Sequence, residues 1–124
     1  MIEKHKLLIV DDDEAVIDFL HAKLGERYDI VSTNAPENVL PLARKEKPSL
    51  ILCDVDMPGM DGGDVSKALY GDTELREIPV LFVTGLVSPS DMKNVGHQIG
   101  GPPAISKQAP PAELLKRIES LTRS

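Results

Sequence analysis

Five short apolar runs, each followed by helical spacing, constrain this chain more than any other feature of its sequence. The first is Lys6-Leu7-Leu8-Ile9-Val10, after which Val16, Ile17, Phe19, Leu20 and Leu24 recur on one helix face and Gly25 supplies a stop. Residues 28–32 read as a second strand. Residues 35–44 read as a second helix with Val39, Leu40 and Ala43 on one side, which Pro41 should kink or shorten. Residues 50–53 give a third strand, and a third helix runs from Val65 to Tyr70. Residues 79–83 are the fourth and most apolar strand. Ser88-Pro89 ahead of Asp91, Met92, Val95 and Ile99 then opens a helix with a cap, a proline in its first turn and an acid beside its positive end. Residues 104–106 and the amphipathic stretch 111–121, with Leu114, Leu115, Ile118 and Leu121, complete the series.

Strands that are continuously apolar, with no alternation, belong to parallel sheets covered on both faces. Five strand–helix units therefore predict a three-layer α/β domain. At 124 residues and 41% hydrophobic content the chain has material for one core, so residues 1–124 are expected to form one domain. Fourteen basic against 20 acidic residues leave a net charge of -6, and no basic segment stands apart, so neither direct nucleic-acid binding nor membrane insertion is expected. Cys53 is the only cysteine, which excludes an intramolecular disulfide and reads as a small buried hydrophobe in a reducing compartment. Nothing in the sequence resembles a signal peptide or a spanning segment, and a cytoplasmic location is expected.

The acids are placed unevenly. Ligand sites of parallel α/β sheets lie outside the carboxyl ends of the strands. There Asp11 and Asp12 leave the first strand, Asp54 the third and Thr84 the fourth, and Lys107 follows the fifth. Carboxylates crowded together repel one another and call for a cation. An oxygen-only set favours Mg²⁺, with Mn²⁺ the alternative, over Zn²⁺. The competing reading makes Asp11, Asp12, Asp13 and Asp54 solvated loop acids and helix caps. A lysine, a hydroxyl and a metal-bound carboxylate together suit phosphoryl transfer, with Asp54 as the acceptor. His5, His21 and His97 show neither metal-ligand spacing nor a proton-transfer partner, and Phe19, Tyr28, Tyr70 and Phe82 read as core or rim residues.

Val10-Asp11-Asp12-Asp13-Glu14, Asp54-x-x-Met57-Pro58-Gly59-Met60-Asp61-Gly62, Val83-Thr84-Gly85 and Ser106-Lys107 resemble, in order and spacing, the receiver domain of bacterial two-component response regulators. The resemblance extends over essentially the whole chain. It implies a (βα)5 doubly wound, flavodoxin-like fold with strand order 2-1-3-4-5. It also implies a domain that takes a phosphoryl group from a sensor histidine kinase or histidine phosphotransfer domain and signals to a downstream protein or an attached output domain. Carried over position by position, it makes Asp54 the phosphoacceptor and Asp12 a direct Mg²⁺ ligand. Asp11 becomes an acid acting through a metal-bound water, and the Asp56 carbonyl a further ligand. Thr84 and Lys107 would contact the phosphoryl group, and Asp56 and Leu86 would flank the path of the hydrolytic water. The chemistry implied is self-catalysed phosphorylation and autodephosphorylation, outside conventional enzyme turnover.

Several positions depart from the family pattern. Ala104 stands where a switch Tyr or Phe is usual, Gly85 where Ala is usual, and Gln108 where Pro normally follows the lysine. Gly100-Gly101-Pro102-Pro103 replaces the usual Gly-Ala turn. Ala104 has no rotamer to flip, so phosphorylation is expected to reach the partner face with reduced coupling. Two further readings stay open: a degenerate receiver acting as a non-catalytic interaction module, and a receiver fragment of a larger regulator. Asp54-Val55-Asp56 also resembles the opening of haloacid-dehalogenase-type phosphatases. That motif, however, belongs after a first strand with Thr or Val two residues beyond it, and here Met57-Pro58 follows a third strand.

Overall fold

The apolar runs lie side by side. In the computed structural model, which describes residues 4–54, 62–84, 104–106 and 110–122, they form β1 (Lys6–Val10), β2 (Asp29–Thr33), β3 (Leu50–Asp54), β4 (Val80–Thr84) and β5 (Ala104–Ser106). All pairings are parallel and the order is β2-β1-β3-β4-β5, as the resemblance implied. The described helices are α1 (Glu14–Leu24), α2 (Val39–Glu46), α3 (Gly62–Tyr70) and α4 (Pro111–Thr122). The helix expected from Ser88-Pro89 lies outside the described residues.

Successive strand residues point to opposite faces, and each face has its own core. Leu7, Ile9, Leu50, Leu52, Leu81, Val83 and Ile105 pack with Ile17, Leu20 and Leu24 of α1 and with Leu114 and Ile118 of α4. Leu8, Val10, Ile51, Cys53, Val80 and Phe82 pack on the other side with Val39 and Ala43 of α2 and Val65 and Leu69 of α3. Two covered faces explain why β3 is buried at every position and reads as an unbroken apolar run. Each fully buried Leu of that run contributes about 1.5–3 kcal/mol of hydrophobic stabilisation. Of the four aromatic residues, Tyr28 and Phe82 are core, whereas Phe19 and Tyr70 are exposed and lie under the Lys23 and Arg76 cations.

The second helix differs from the sequence reading. Residues 35–44 do not form one helix: a 3₁₀ turn, Pro36–Asn38, precedes α2, which continues to Glu46. Pro41 does not kink α2, because it lies in the first turn, where a backbone N–H has no intrahelical acceptor to lose. Gly25 does stop α1, with right-handed dihedrals (φ -64°, ψ -21°). A Cβ there would stand 2.6 Å from the His21 carbonyl oxygen, so the requirement for glycine is close approach.

Ion pairs tie neighbouring elements at their rims. Arg44 of α2 donates to Asp72, just beyond α3; this hydrogen bond, supported by the Glu74 amide, holds the Asp72 carboxyl below its ordinary range. Lys6 donates to Glu46 at 2.9 Å and holds that carboxyl low in the same way. Arg27 reaches Glu119 of α4 at 3.2 Å. Among the described residues no helix is long and apolar enough to cross a membrane.

Candidate metal and phosphoacceptor site

The acidic site begins where β1 and β3 end. Val10 pairs with Cys53, so Asp11 and Asp54 leave their strands side by side. Asp11 remains tied to the sheet through its amide, which donates to the Thr33 carbonyl at 3.2 Å and extends the β1–β2 ladder by one step. The chain then turns, and α1 starts. One carboxylate oxygen from each of Asp11, Asp12 and Asp54 lies within 4.8 Å of the others. Asp11 and Asp54 are buried, at 2% and 5% exposure, while Asp12 is exposed at the mouth.

These residues suit a hard divalent cation. The cluster offers oxygen and neither thiolate nor imidazole, the set expected for Mg²⁺. Oxygens bound to one such ion stand about 3 Å apart when adjacent and about 4.2 Å apart when opposite, so the three oxygens would draw together to share it. Three carboxylates at this separation repel, and a bound cation is the simplest compensation.

Asp13 takes a different part from its neighbours. Its side chain accepts from the Ala15 amide at 2.9 Å as the N-cap of α1, with extended dihedrals (φ -98°, ψ 108°). Its own amide donates to Asp11 Oδ1 at 2.9 Å. The cap reading therefore holds for Asp13, whereas Asp11, Asp12 and Asp54 converge.

Thr33 is a residue that sequence reasoning missed, because the second strand was expected to end at Ser32. Its hydroxyl accepts from the Ala35 amide at 3.1 Å and from Asn38 Nδ2 at 3.3 Å, while its carbonyl holds Asp11. The Thr33-Asn34-Ala35-Pro36 stretch carried the signal, since a hydroxyl two residues before an amide favours a side-chain turn. Asn34 adds a second tie, donating to Glu14 Oε1 at 3.1 Å.

Thr84 ends β4 one residue beyond the Asp54–Val83 pair, opposite Ser106. The backbone thus brings Thr84 to the same sheet edge as the acids. Asp56, Leu86 and Lys107 lie outside the described residues, as do Gly85, Gln108 and the 100–103 turn. Ala104 is the register partner of Phe82.

The sequence profile of the response regulator receiver domain matches residues 7–119. Response regulator PleD of Caulobacter vibrioides is 37% identical over 119 residues, covering 95% of this chain and 26% of PleD. The alkaline phosphatase synthesis transcriptional regulatory protein PhoP of Bacillus subtilis is 32% identical over 119 residues, covering 95% of this chain and 48% of PhoP. The chain thus spans about a quarter and about half of these two relatives. Among solved structures, the BeF3-activated N-terminal receiver domain of Klebsiella pneumoniae RstA superposes with a TM-score of 0.83 at 30% identity, covering 96% of this chain and 99% of that one. Chemotaxis response regulator CheY4 of Vibrio cholerae gives 0.83 at 27% identity, with the same coverage of 96% and 99%. A profile match over nearly the full length, a parallel sheet of order 2-1-3-4-5 and acids gathered at the ends of β1 and β3 agree: the chain belongs to the response regulator receiver domain family of two-component systems.

Proposed function

We infer that this chain is a single receiver domain, residues 1–124, that accepts a phosphoryl group on Asp54 with Mg²⁺ and signals by protein–protein contact in the cytoplasm. The observation that carries this reading is the convergence of Asp11, Asp12 and Asp54, two of them buried, at the carboxyl edge of the sheet. The phosphodonor is the phosphohistidine of a sensor kinase or phosphotransfer domain. A carboxylate oxygen of Asp54 attacks phosphorus, an O–P bond forms as the donor's N–P bond breaks, and the electron pair returns to the imidazole nitrogen. Asp12 and Asp54, with the Asp56 carbonyl, would hold Mg²⁺ directly and Asp11 through a metal-bound water, and the ion would offset the carboxylate repulsion and the charge on the phosphoryl oxygens. Thr84 donates to a phosphoryl oxygen, and Lys107 supplies a positive charge for the phosphoryl group. The mostly buried position of Asp54 limits the approach of water and of unselected nucleophiles.

Support comes from the family membership and from RstA, whose receiver domain was crystallised in a BeF3-activated form. The downstream partner is a separate protein or an output domain attached to a longer chain, as the partial coverage of PleD and PhoP accommodates. The deciding experiment is incubation with acetyl phosphate or phosphoramidate, with and without Mg²⁺. One hydroxylamine-labile phosphate, gained only with Mg²⁺ and lost in Asp54→Asn, is expected. No incorporation under any condition would leave the interaction-module reading in its place.

A further inference from the structure

We propose that Asp13 is a positioning residue for the Mg²⁺ site, acting through its role as N-cap of α1 and not through its charge. The inference rests on the reading of Asp11, Asp12 and Asp54 as that site. One residue makes two linked hydrogen bonds: its side chain accepts from Ala15 N, and its backbone amide donates to Asp11 Oδ1, both at 2.9 Å. The first sets the second. Capping fixes Asp13 in extended conformation at the helix entry, and that conformation directs its N–H back onto the Asp11 carboxylate.

An N–H held on one carboxylate oxygen restricts rotation of the Asp11 side chain. It also sets a partial positive charge against one of three mutually repelling acids. The turn that carries Asp11, Asp12 and Asp13 is anchored on its other side by the Asp11 amide to the Thr33 carbonyl and by Asn34 to Glu14. With both flanks tied, the conformation of Asp13 is one determinant of where the Asp11 carboxylate lies. Groups that orient metal ligands from outside the coordination shell typically change metal affinity by about 10- to 100-fold when removed.

Charge and cap can be separated by substitution. Asn and Ser are N-caps about as effective as Asp, and both are neutral, whereas Ala cannot cap. Mg²⁺ affinity of the whole chain is measured by isothermal titration calorimetry for wild type and for Asp13→Ala, Asp13→Asn and Asp13→Ser. Asp13→Ala is expected to bind about 10-fold more weakly. The two capping variants are expected to stay within about twofold of wild type, rescuing the site without the charge. Ile118→Val, a fully buried change on α4, controls for general loss of stability and should bind Mg²⁺ as wild type does.

Equal affinity in Asp13→Ala and wild type overturns the inference while leaving the Mg²⁺ site standing. Weakening of Asp13→Asn to the level of Asp13→Ala overturns it in favour of a purely electrostatic role. Absence of Mg²⁺ binding by the wild-type chain overturns both this inference and the reading beneath it.

Discussion

Asp11 and Asp54 come from adjacent parallel strands and stand together just beyond the Val10–Cys53 pair, with carboxylate oxygens within 4.8 Å and both side chains buried. Two unit charges that close, at an effective dielectric constant near 20, oppose each other by about 3 kcal/mol before solvent screening and other contacts reduce it. That repulsion is one contribution to the energy of the site. Asp54→Asn should raise stability in Mg²⁺-free buffer by on the order of 1 kcal/mol, abolish stable phosphorylation and remove most of the stabilisation that added Mg²⁺ gives the wild type. Thermal unfolding with and without Mg²⁺ measures both effects; a lower midpoint for the variant in Mg²⁺-free buffer would contradict the first.

The lifetime of the aspartyl phosphate should depend on Asp56 and Leu86, which the family resemblance sets beside the path of the hydrolytic water. Either side chain can orient or exclude that water, so Asp56→Asn and Leu86→Ala should each change the dephosphorylation rate. Decay of the labelled protein after removal of the phosphodonor gives the rates. Identical rates in all three proteins would falsify the expectation.

Phe82 is fully buried in the core facing α2 and α3, packed among β3, β4 and the helices that cover them. Phe82→Ala should destabilise the chain by about 3–5 kcal/mol, because the side chain's transfer energy is lost and a cavity remains. Urea denaturation is the measurement, and a loss below about 1 kcal/mol would indicate that the neighbouring side chains collapse into the space.

Lys47 caps α2 in the left-handed region, at φ 49° and ψ 61°, the only described non-glycine residue with positive φ. Its Cβ makes that conformation unfavourable, and glycine removes the clash. Lys47→Gly should therefore raise stability by about 0.5–1 kcal/mol despite glycine's greater freedom in the unfolded chain. The shift in denaturation midpoint tests it, and a fall would show that the Lys47 side chain stabilises the fold in another way.

The Arg44–Asp72 pair should appear as a pH dependence of stability. Arg44's hydrogen bond, with the Glu74 amide, puts the folded Asp72 carboxyl below its unfolded value of about 3.9. A depressed carboxyl contributes fully above the unfolded value and loses its contribution as pH falls through the folded one. Asp72→Asn should be less stable than wild type near neutrality, and the difference should shrink once pH drops below about 4. A gap that stayed constant down to about pH 2 would assign the effect to packing. Because Arg44 is exposed, added salt should narrow the gap as well.

The sequence by itself determined the layer order of this protein. Unbroken apolar runs in β1, β3 and β4 mean strands buried on both faces, and the helical spacing of Ile17, Leu20 and Leu24 names the face of α1 that meets the sheet. These are local periodicities, legible one segment at a time. Strand ends were less legible: β2, β3 and β4 each run one residue further than their apolar runs, to Thr33, Asp54 and Thr84. A strand ends where its neighbour stops pairing, and the neighbour lies elsewhere in the chain. The second helix divided at Asn38 for a related reason, since Pro41 disrupts a helix only if its position falls beyond the first turn.

The candidate site divides along the same line. That acids follow β1 and β3 is written in the sequence, and the motif spacing is enough to name a family. That Asp11 and Asp12, and not Asp13, face Asp54 came from the family resemblance, because three adjacent aspartates are chemically alike. The tertiary structure distinguishes them by the pairing of Asp11 with the end of β2 and by the start of α1 at Glu14. Those two constraints turn Asp11 and Asp12 toward Asp54 and make Asp13 the cap, because a backbone tied to a strand on one side and a helix on the other has few ways through the turn.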